Sequence, residues 1–327
     1  LGLARGLSHY LEHYPYGCTE QLVSRAWPSL AVAERPEFGG SRAKAQADVA
    51  AVVRMLASRQ NEEGAFGMWA ANSVVSEFQT VYAAHFLTDA RERGHTVPPV
   101  LLERTLARLK VLAESEGGGL SEERERAYAL YVLSRNGRLS GAAATGVEAR
   151  LERDHRGAWR EDLAALYLAS VRRLEQDARR ADALVSGVRF ARSMKPDFLH
   201  FHDPLARDGA ALYLTSRHFP ERAKTLRAED IQGIADEVAG GRYNSLSAAT
   251  AIAGLAAYAD AMGEPVASDA AVSEELEGGA PRELTLSKGT FRRAAFSPAA
   301  KRLRFTVPGP AFYQVVQAGF DDAAPKS

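Results

Sequence analysis

Apolar residues recur at three- and four-residue spacing through most of this chain, and short glycine- or proline-bearing turns interrupt the pattern repeatedly. Leu3, Leu7, Tyr10, Leu11 and Tyr14 make the first stripe, over residues 1–14. A second covers about 18–34, where Leu22, Val23 and Leu30 are apolar and Pro28 is expected to kink or end the helix. Ser41 can cap a third, with Val49, Val52, Val53 and Leu56 on one face. A glycine- and aromatic-rich loop, 60–69, precedes a fourth pattern at about 74–93. Pro98 and Pro99 open a fifth through Leu102, Leu106 and Leu109. Others follow near 121–135, 140–153, 159–175, 178–194, 204–218, 228–238 and 246–262. The expectation is about a dozen helices with no strand among them, a mainly α fold.

Composition changes after Gly263. Residues 264–282 are rich in Glu, Ala, Gly, Ser and Pro and read as a connection. Beyond them the apolar period becomes two, at 283–286, 303–307 and 312–316, as in short strands. So few strands seldom fold alone. The expected division is 1–263 helical, 264–282 linker and 283–327 β.

A chain of 327 residues can bury a sizeable core in one large unit, with or without a smaller one. Its 41 basic and 41 acidic residues balance, which gives no electrostatic case for nucleic acid or an anionic membrane. No apolar run approaches the roughly 20 residues of a spanning helix. Leu1 opens directly into an amphipathic pattern, and the chain reads as excised from something longer.

Cys18 is the single cysteine, so no intrachain disulfide framework or multi-cysteine metal site is available. A lone cysteine is most often a buried structural thiol. Here, however, it stands in Tyr14-Pro15-Tyr16-Gly17-Cys18-Thr19-Glu20-Gln21, where two backbone breakers end one helical pattern and another begins. A helix N-terminus stabilises a thiolate. Residues three apart share a helix face, so the Cys18 sulfur and the Gln21 carboxamide can meet. Attack of the thiolate on that carboxamide would expel ammonia and leave an internal thioester.

Gly17-Cys18-Thr19-Glu20-Gln21 resembles the thioester motif of the alpha-2-macroglobulin and complement superfamily, usually Gly-Cys-x-Glu-Gln. The preceding Tyr14-Pro15-Tyr16 resembles its bacterial branch. Thr19 and Leu22 stand where vertebrate members carry glycine and asparagine, departures that bear on the branch rather than on the bonding pair. The resemblance implies that Cys18 and Gln21 form the thioester, with Gly17 and Glu20 as motif backbone and Tyr14 and Tyr16 shielding it from water. It implies an alpha/alpha toroid of about six helical hairpins, followed by part of a CUB-like β-sandwich. Gly64-Ala65-Phe66, Gly157-Ala158-Trp159 and Gly241-Arg242-Tyr243, repeating at roughly 90 residues, resemble toroid junction loops.

What the resemblance implies for function is a single-use covalent protease inhibitor, not an enzyme. Attacking proteases would be its partners, captured through lysine amines, along with other domains of the parent chain. It would need no cofactor beyond the internal thioester and would work in the periplasm, where a lipoprotein N-terminus absent from this chain could anchor it to the inner membrane. Some complement proteins relay the acyl group through a histidine, but His85, His95 and His155 stand in no recognisable copy of that motif, so direct amine capture is expected. The competing reading is a toroid enzyme, such as a terpenoid cyclase, a prenyltransferase or a polysaccharide-processing enzyme. The Asp and Glu residues are dispersed over helix faces and form no Asp-rich motif.

Other candidates take bland readings. His9 and His13 lie four apart on one helix face, but without a third ligand at recognisable spacing they read as exposed helix residues, and no metal site is expected. In His200-Phe201-His202-Asp203 the Asp reads as a helix cap ahead of Pro204. Glu122-Glu123-Arg124-Glu125-Arg126 reads as a solvated helix face. No phosphate loop, nucleotide fingerprint or serine-nucleophile elbow is visible.

Overall fold

The computed structural model describes every residue except 1, 36–37, 139–140, 192–193, 264–269, 288–291, 308–312, 314 and 318–327. It divides into two compact units, Leu3–Met262 and a smaller one built chiefly from Gly263–Ser327.

Thirteen α-helices are found among the described residues: α1 Gly2–Glu12, α2 Thr19–Ala31, α3 Arg42–Arg59, α4 Glu77–Glu92, α5 Pro99–Glu114, α6 Leu120–Arg135, α7 Gly141–Asp154, α8 Leu163–Leu174, α9 Ala178–Val185, α10 Pro204–His218, α11 Pro220–Lys224, α12 Ala228–Ala239 and α13 Ser245–Met262. Their packing closes on itself. Helix α2 packs on α4, α4 on α6, α6 on α8, α8 on α10, α10 on α13, and α13 returns to α2. Around this inner ring of six, α3 packs on α2 and α4, α5 on α4 and α6, α7 on α6 and α8, α9 on α8, and α12 on α10. The larger unit is an alpha/alpha toroid. Inner helices are buried nearly all round, as in α4, where Gln79 through Ala90 are buried without a break. Outer helices bury one stripe, as α3 does with Ala45, Val49, Val52, Val53 and Leu56.

Because inner and outer helices alternate along the chain, the inner helices share a direction. Their N-termini meet at one end of the ring. There the Asn244 amide, just before α13, donates to Asp203 Oδ2 before α10 (2.9 Å), and Phe78 of α4 stacks on Phe201, ring centroids 4.5 Å apart. The three junction glycines lie at this end too, each left-handed, with φ of 86°, 85° and 68° at Gly64, Gly157 and Gly241.

Several boundaries differ from expectation. Pro28 neither ends nor interrupts α2, which runs on to Ala31 although the proline has no amide for the Ser24 carbonyl. The pattern at 159–175 is a 3₁₀ turn, Trp159–Glu161, and then α8, split where Asp162 accepts from the Ala164 amide (2.9 Å) as N-cap. Helix α9 stops at Val185 rather than 194, and the left-handed Ala191 beyond it donates its amide to Asp208 of α10. The five-residue α11 was not anticipated. Residue 140, where the pattern at 140–153 was expected to start, lies outside the described residues.

The smaller unit holds an antiparallel sheet of order β2-β1-β3, with β1 Ala271–Leu276, β2 Arg282–Leu284 and β3 Ala300–Thr306. Its central strand corrects the reading of 264–282 as a connection. Charge pairing explains why β1 is hard to see: Glu274, fully buried, binds Arg282 and accepts the Ser297 amide, while Glu275 accepts from Arg304 at 2.8 Å across the sheet. Of the expected strand at 312–316, Tyr313, Val315 and Val316 are not in a strand, and Phe312 and Gln314 lie outside the described residues.

Candidate functional site

Cys18 is the N-cap of α2, with extended backbone (φ −64°, ψ 170°) and 7% of its surface exposed. Three residues on, the Gln21 side chain folds back, so the Cys18 amide donates to Gln21 Oε1 at 2.9 Å. This is the reach-back of a capping box, with a carboxamide in place of the usual acid. The Gln21 carboxamide is thus held at the backbone amide of Cys18.

The rest of the motif is fastened to neighbouring elements. The Thr19 amide donates to the Met68 carbonyl (2.9 Å) and its hydroxyl to the Gly67 carbonyl (2.7 Å), both in the loop before α4. Glu20 is buried and accepts from Ser24 Oγ (2.6 Å) and from Ser245 Oγ (2.9 Å) at the start of α13. Ser24 in turn meets the Tyr82 hydroxyl of α4 at 3.0 Å. Burial raises the Glu20 carboxyl above its ordinary pKa, against the two serine hydroxyls.

Arg59, the last residue of α3, is buried beneath the motif. Its Nη2 donates to the Gly17 carbonyl (2.9 Å), and its Nη1 to Thr19 Oγ1 (3.2 Å) and the Met68 carbonyl (3.1 Å). The sequence reading missed Arg59, although a signal was there: it falls three residues after Leu56, on the apolar face of α3. Gly17 itself is not demanded by space, since an added Cβ would touch only Leu22 Cδ2, at 3.7 Å.

Burial raises the Cys18 pKa above that of a free thiol. The backbone amides of Gln21 and Glu20 and the charge of Arg59 pull the other way, and the Glu20 carboxylate adds to burial. The tyrosines make an edge-to-face ladder, Tyr14 to Tyr10 at 5.5 Å, Tyr14 to Tyr16 at 5.8 Å, and Tyr10 to Tyr243 at 5.0 Å. Tyr14 is half-buried, but Tyr16 is 62% exposed. Within this chain the ladder therefore holds the loop, and Tyr16 presents an open ring.

Among the described residues no histidine hydrogen-bonds Cys18 or Gln21. His85 is buried inside the ring, 2.8 Å from the Tyr128 hydroxyl, and burial holds it neutral. Asp203 caps α10 through the Ala206 amide (2.9 Å), as read. Glu12 joins His9 and His13, their ligand atoms within 4.8 Å of one another, and thus supplies the third group the sequence reading did not find; all three are exposed. The ring's central hollow, partly open to solvent, is lined by aromatic and aliphatic side chains with Thr250, His85 and His202, and by no carboxylate among the described residues.

No family model matches the chain. An alpha-2-macroglobulin homolog of Yersinia pestis is 30% identical over 344 residues, covering 100% of this chain and 17% of the relative. Two solved structures share the fold. Salmonella alpha-2-macroglobulin reacted with methylamine is 21% identical, with a TM-score of 0.70 over 94% of this chain and 20% of that one. Trypsin-activated alpha-2-macroglobulin from Escherichia coli is also 21% identical, with a TM-score of 0.61 over 90% and 19%. The chain spans 17% of the length of the Yersinia pestis relative and of the alpha-2-macroglobulin of Rickettsia conorii, which it also matches. Over its whole length the chain is homologous to a segment of the bacterial alpha-2-macroglobulins, and it shares their fold.

Proposed function

We propose that this chain is the thioester-bearing segment of a protease-trapping protein, and that Cys18 and Gln21 form the bond. The observation that carries this reading is the 2.9 Å hydrogen bond from the Cys18 amide to Gln21 Oε1. It holds the carboxamide beside the cysteine and aims a donor at the oxygen on which charge develops when the carbonyl is attacked, as an oxyanion hole does. The Cys18 thiolate adds to the carboxamide carbon, the C–N bond breaks, ammonia leaves with the proton, and the acyl group stays on sulfur. Burial then protects the product from water.

In the trap we infer, cleavage of a bait segment elsewhere in the parent protein exposes this site, and a lysine amine of the protease takes the acyl group in one irreversible turn. That the Escherichia coli relative exists in a trypsin-activated form supports a protease partner. We place the protein in the periplasm and assign 283–327 to a CUB-like sandwich, both on family resemblance. The toroid-enzyme reading is disfavoured by the central hollow, whose lining offers no carboxylate among the described residues.

Intact mass tests the proposal. The native protein should be one ammonia lighter than its sequence. Methylamine should restore mass by one methylamine, placed at Gln21, and release one thiol at Cys18. A native mass equal to the sequence, with a titratable thiol before any amine is added, would overturn it.

A further inference from the structure

Arg59 is an expensive residue to bury where it stands. Among the described residues no carboxylate lies within ion-pair distance of it, and its Nε is buried without a hydrogen-bond partner. A buried cation satisfied by carbonyls and one hydroxyl is normally a stability loss, often recovered by an apolar replacement. Its position is specific: one arm holds the carbonyl of Gly17, before Cys18, and the other the hydroxyl of Thr19, after it.

We propose that Arg59 is a positioning residue for the thioester: its fork fixes both neighbours of Cys18, and its charge offsets the negative charge that collects on Sγ whenever the Cys18–Gln21 bond forms or breaks. The inference rests on the thioester reading above. When an amine opens the bond, its nitrogen attacks the Gln21 carbonyl carbon, the C–S bond breaks and the electron pair leaves with Sγ. The surplus proton on the new amide nitrogen is lost to bulk solvent, and the sulfur is left as a thiolate. In a buried site water cannot solvate that sulfur during the step, so a fixed cation matters more there than in solution. The charged or titratable groups that bear on Cys18 are Glu20 on α2, Tyr14 on the preceding loop and Arg59 on α3. Of these, Glu20 opposes a thiolate, and Arg59 is the cation that favours it.

The test uses the full-length protein and reads iodoacetamide alkylation of Cys18 against pH after methylamine has opened the bond. R59Q and R59M should move the midpoint upward by about one pH unit and slow methylamine-driven thiol release severalfold. R59M guards against misfolding of R59Q, since an apolar side chain is the better-tolerated replacement at a buried charge. R59K should keep the midpoint near that of the wild type. T19V, which removes one anchor and no charge, should also leave it in place. An unchanged midpoint in whichever of R59Q and R59M melts cooperatively, or an equal shift in T19V, would overturn the proposal. If the wild type proves to hold no thioester, the alkylation midpoint of its free thiol still reports on Arg59, so the two failures are distinguishable.

Discussion

Ser245 donates its hydroxyl to Glu20 across 225 positions of sequence, at 2.9 Å. The bond joins the first turn of α2 to the first residue of α13, the seam at which the inner ring closes. The motif is therefore part of the ring's closure as well as of its chemistry.

This gives Glu20 a pH signature. Burial raises its folded-state pKa above the ordinary value. A raised pKa means the folded state binds the proton more tightly, so the contribution is fully present below the unfolded pKa and fades as pH rises through the folded one. E20Q should flatten stability against pH above about pH 4.5. E20A should cost about 1–3 kcal/mol by stranding the buried Ser245 hydroxyl and leaving Ser24 with Tyr82 as its remaining side-chain partner. Urea unfolding at pH 4.5 and 7.5 checks both; parallel losses at the two pH values would contradict the assignment.

Small residues let α10 and α13 approach closely. A Cβ on Gly254 would sit 2.4 Å from the Gly209 carbonyl, and one on Gly209 would sit 2.6 Å from the Ala251 amide nitrogen. Both obstacles are backbone, which cannot swing aside. G209A and G254A should each cost about 1–3 kcal/mol, although alanine is the better helix former. A gain in melting temperature in either variant would show that the helices can separate without penalty.

The helices and the Cys18–Gln21 pair were legible because both depend on local spacing: the apolar stripes repeat every turn, and residues three apart face each other in any helix. What failed to show depends on distant partners. Pro28 stays inside α2 because the ring holds that helix on both sides, a constraint no local rule contains. Strand β1, Ala-Val-Ser-Glu-Glu-Leu, looks like a linker until Arg282 and Arg304 come alongside its glutamates. The anchoring of Glu20 by Ser245 and of Gly17 by Arg59 joins segments tens to hundreds of residues apart. Only Arg59 left a trace, as a charge on an otherwise apolar face.

Gln21 should be indispensable to thiol release by methylamine, and Tyr16 should not. With Tyr16 largely exposed, Y16A is expected to leave the folded stability of this unit within about 0.5 kcal/mol. Q21A should abolish both the ammonia loss and the amine-triggered thiol, at a stability cost of about 1 kcal/mol for the lost bond to the Cys18 amide. Mass spectrometry and thiol titration on the two variants decide. Ammonia loss surviving in Q21A would relocate the acyl donor.

Acid should weaken the ring through its desolvated histidines, against the opposite contribution of raised carboxyls such as Glu20 and Glu125. His85 and His202 are buried and His218 is half-buried, and desolvation is the main reason each is held below the ordinary histidine range, His202 at about 4 and His218 at about 3. A lowered histidine pKa means the unfolded chain takes up the proton first. The stability is present above pH 6.5 and is lost as pH falls below it, at up to about 1.4 kcal/mol per pH unit for each histidine. Asp89 shifts downward for a different reason: the guanidiniums of Arg135 and Arg217 outweigh its burial, and its contribution is lost only below its unfolded pKa, near 3.8. A stability profile from pH 7.5 to 4.5 should therefore fall from about pH 6.5 downward. H202Q, which removes an imidazole 4.0 Å from Asp162, should make the slope shallower while costing stability at pH 7.5. A profile flat to pH 5 in the wild type would mean that these imidazoles accept protons inside the folded ring.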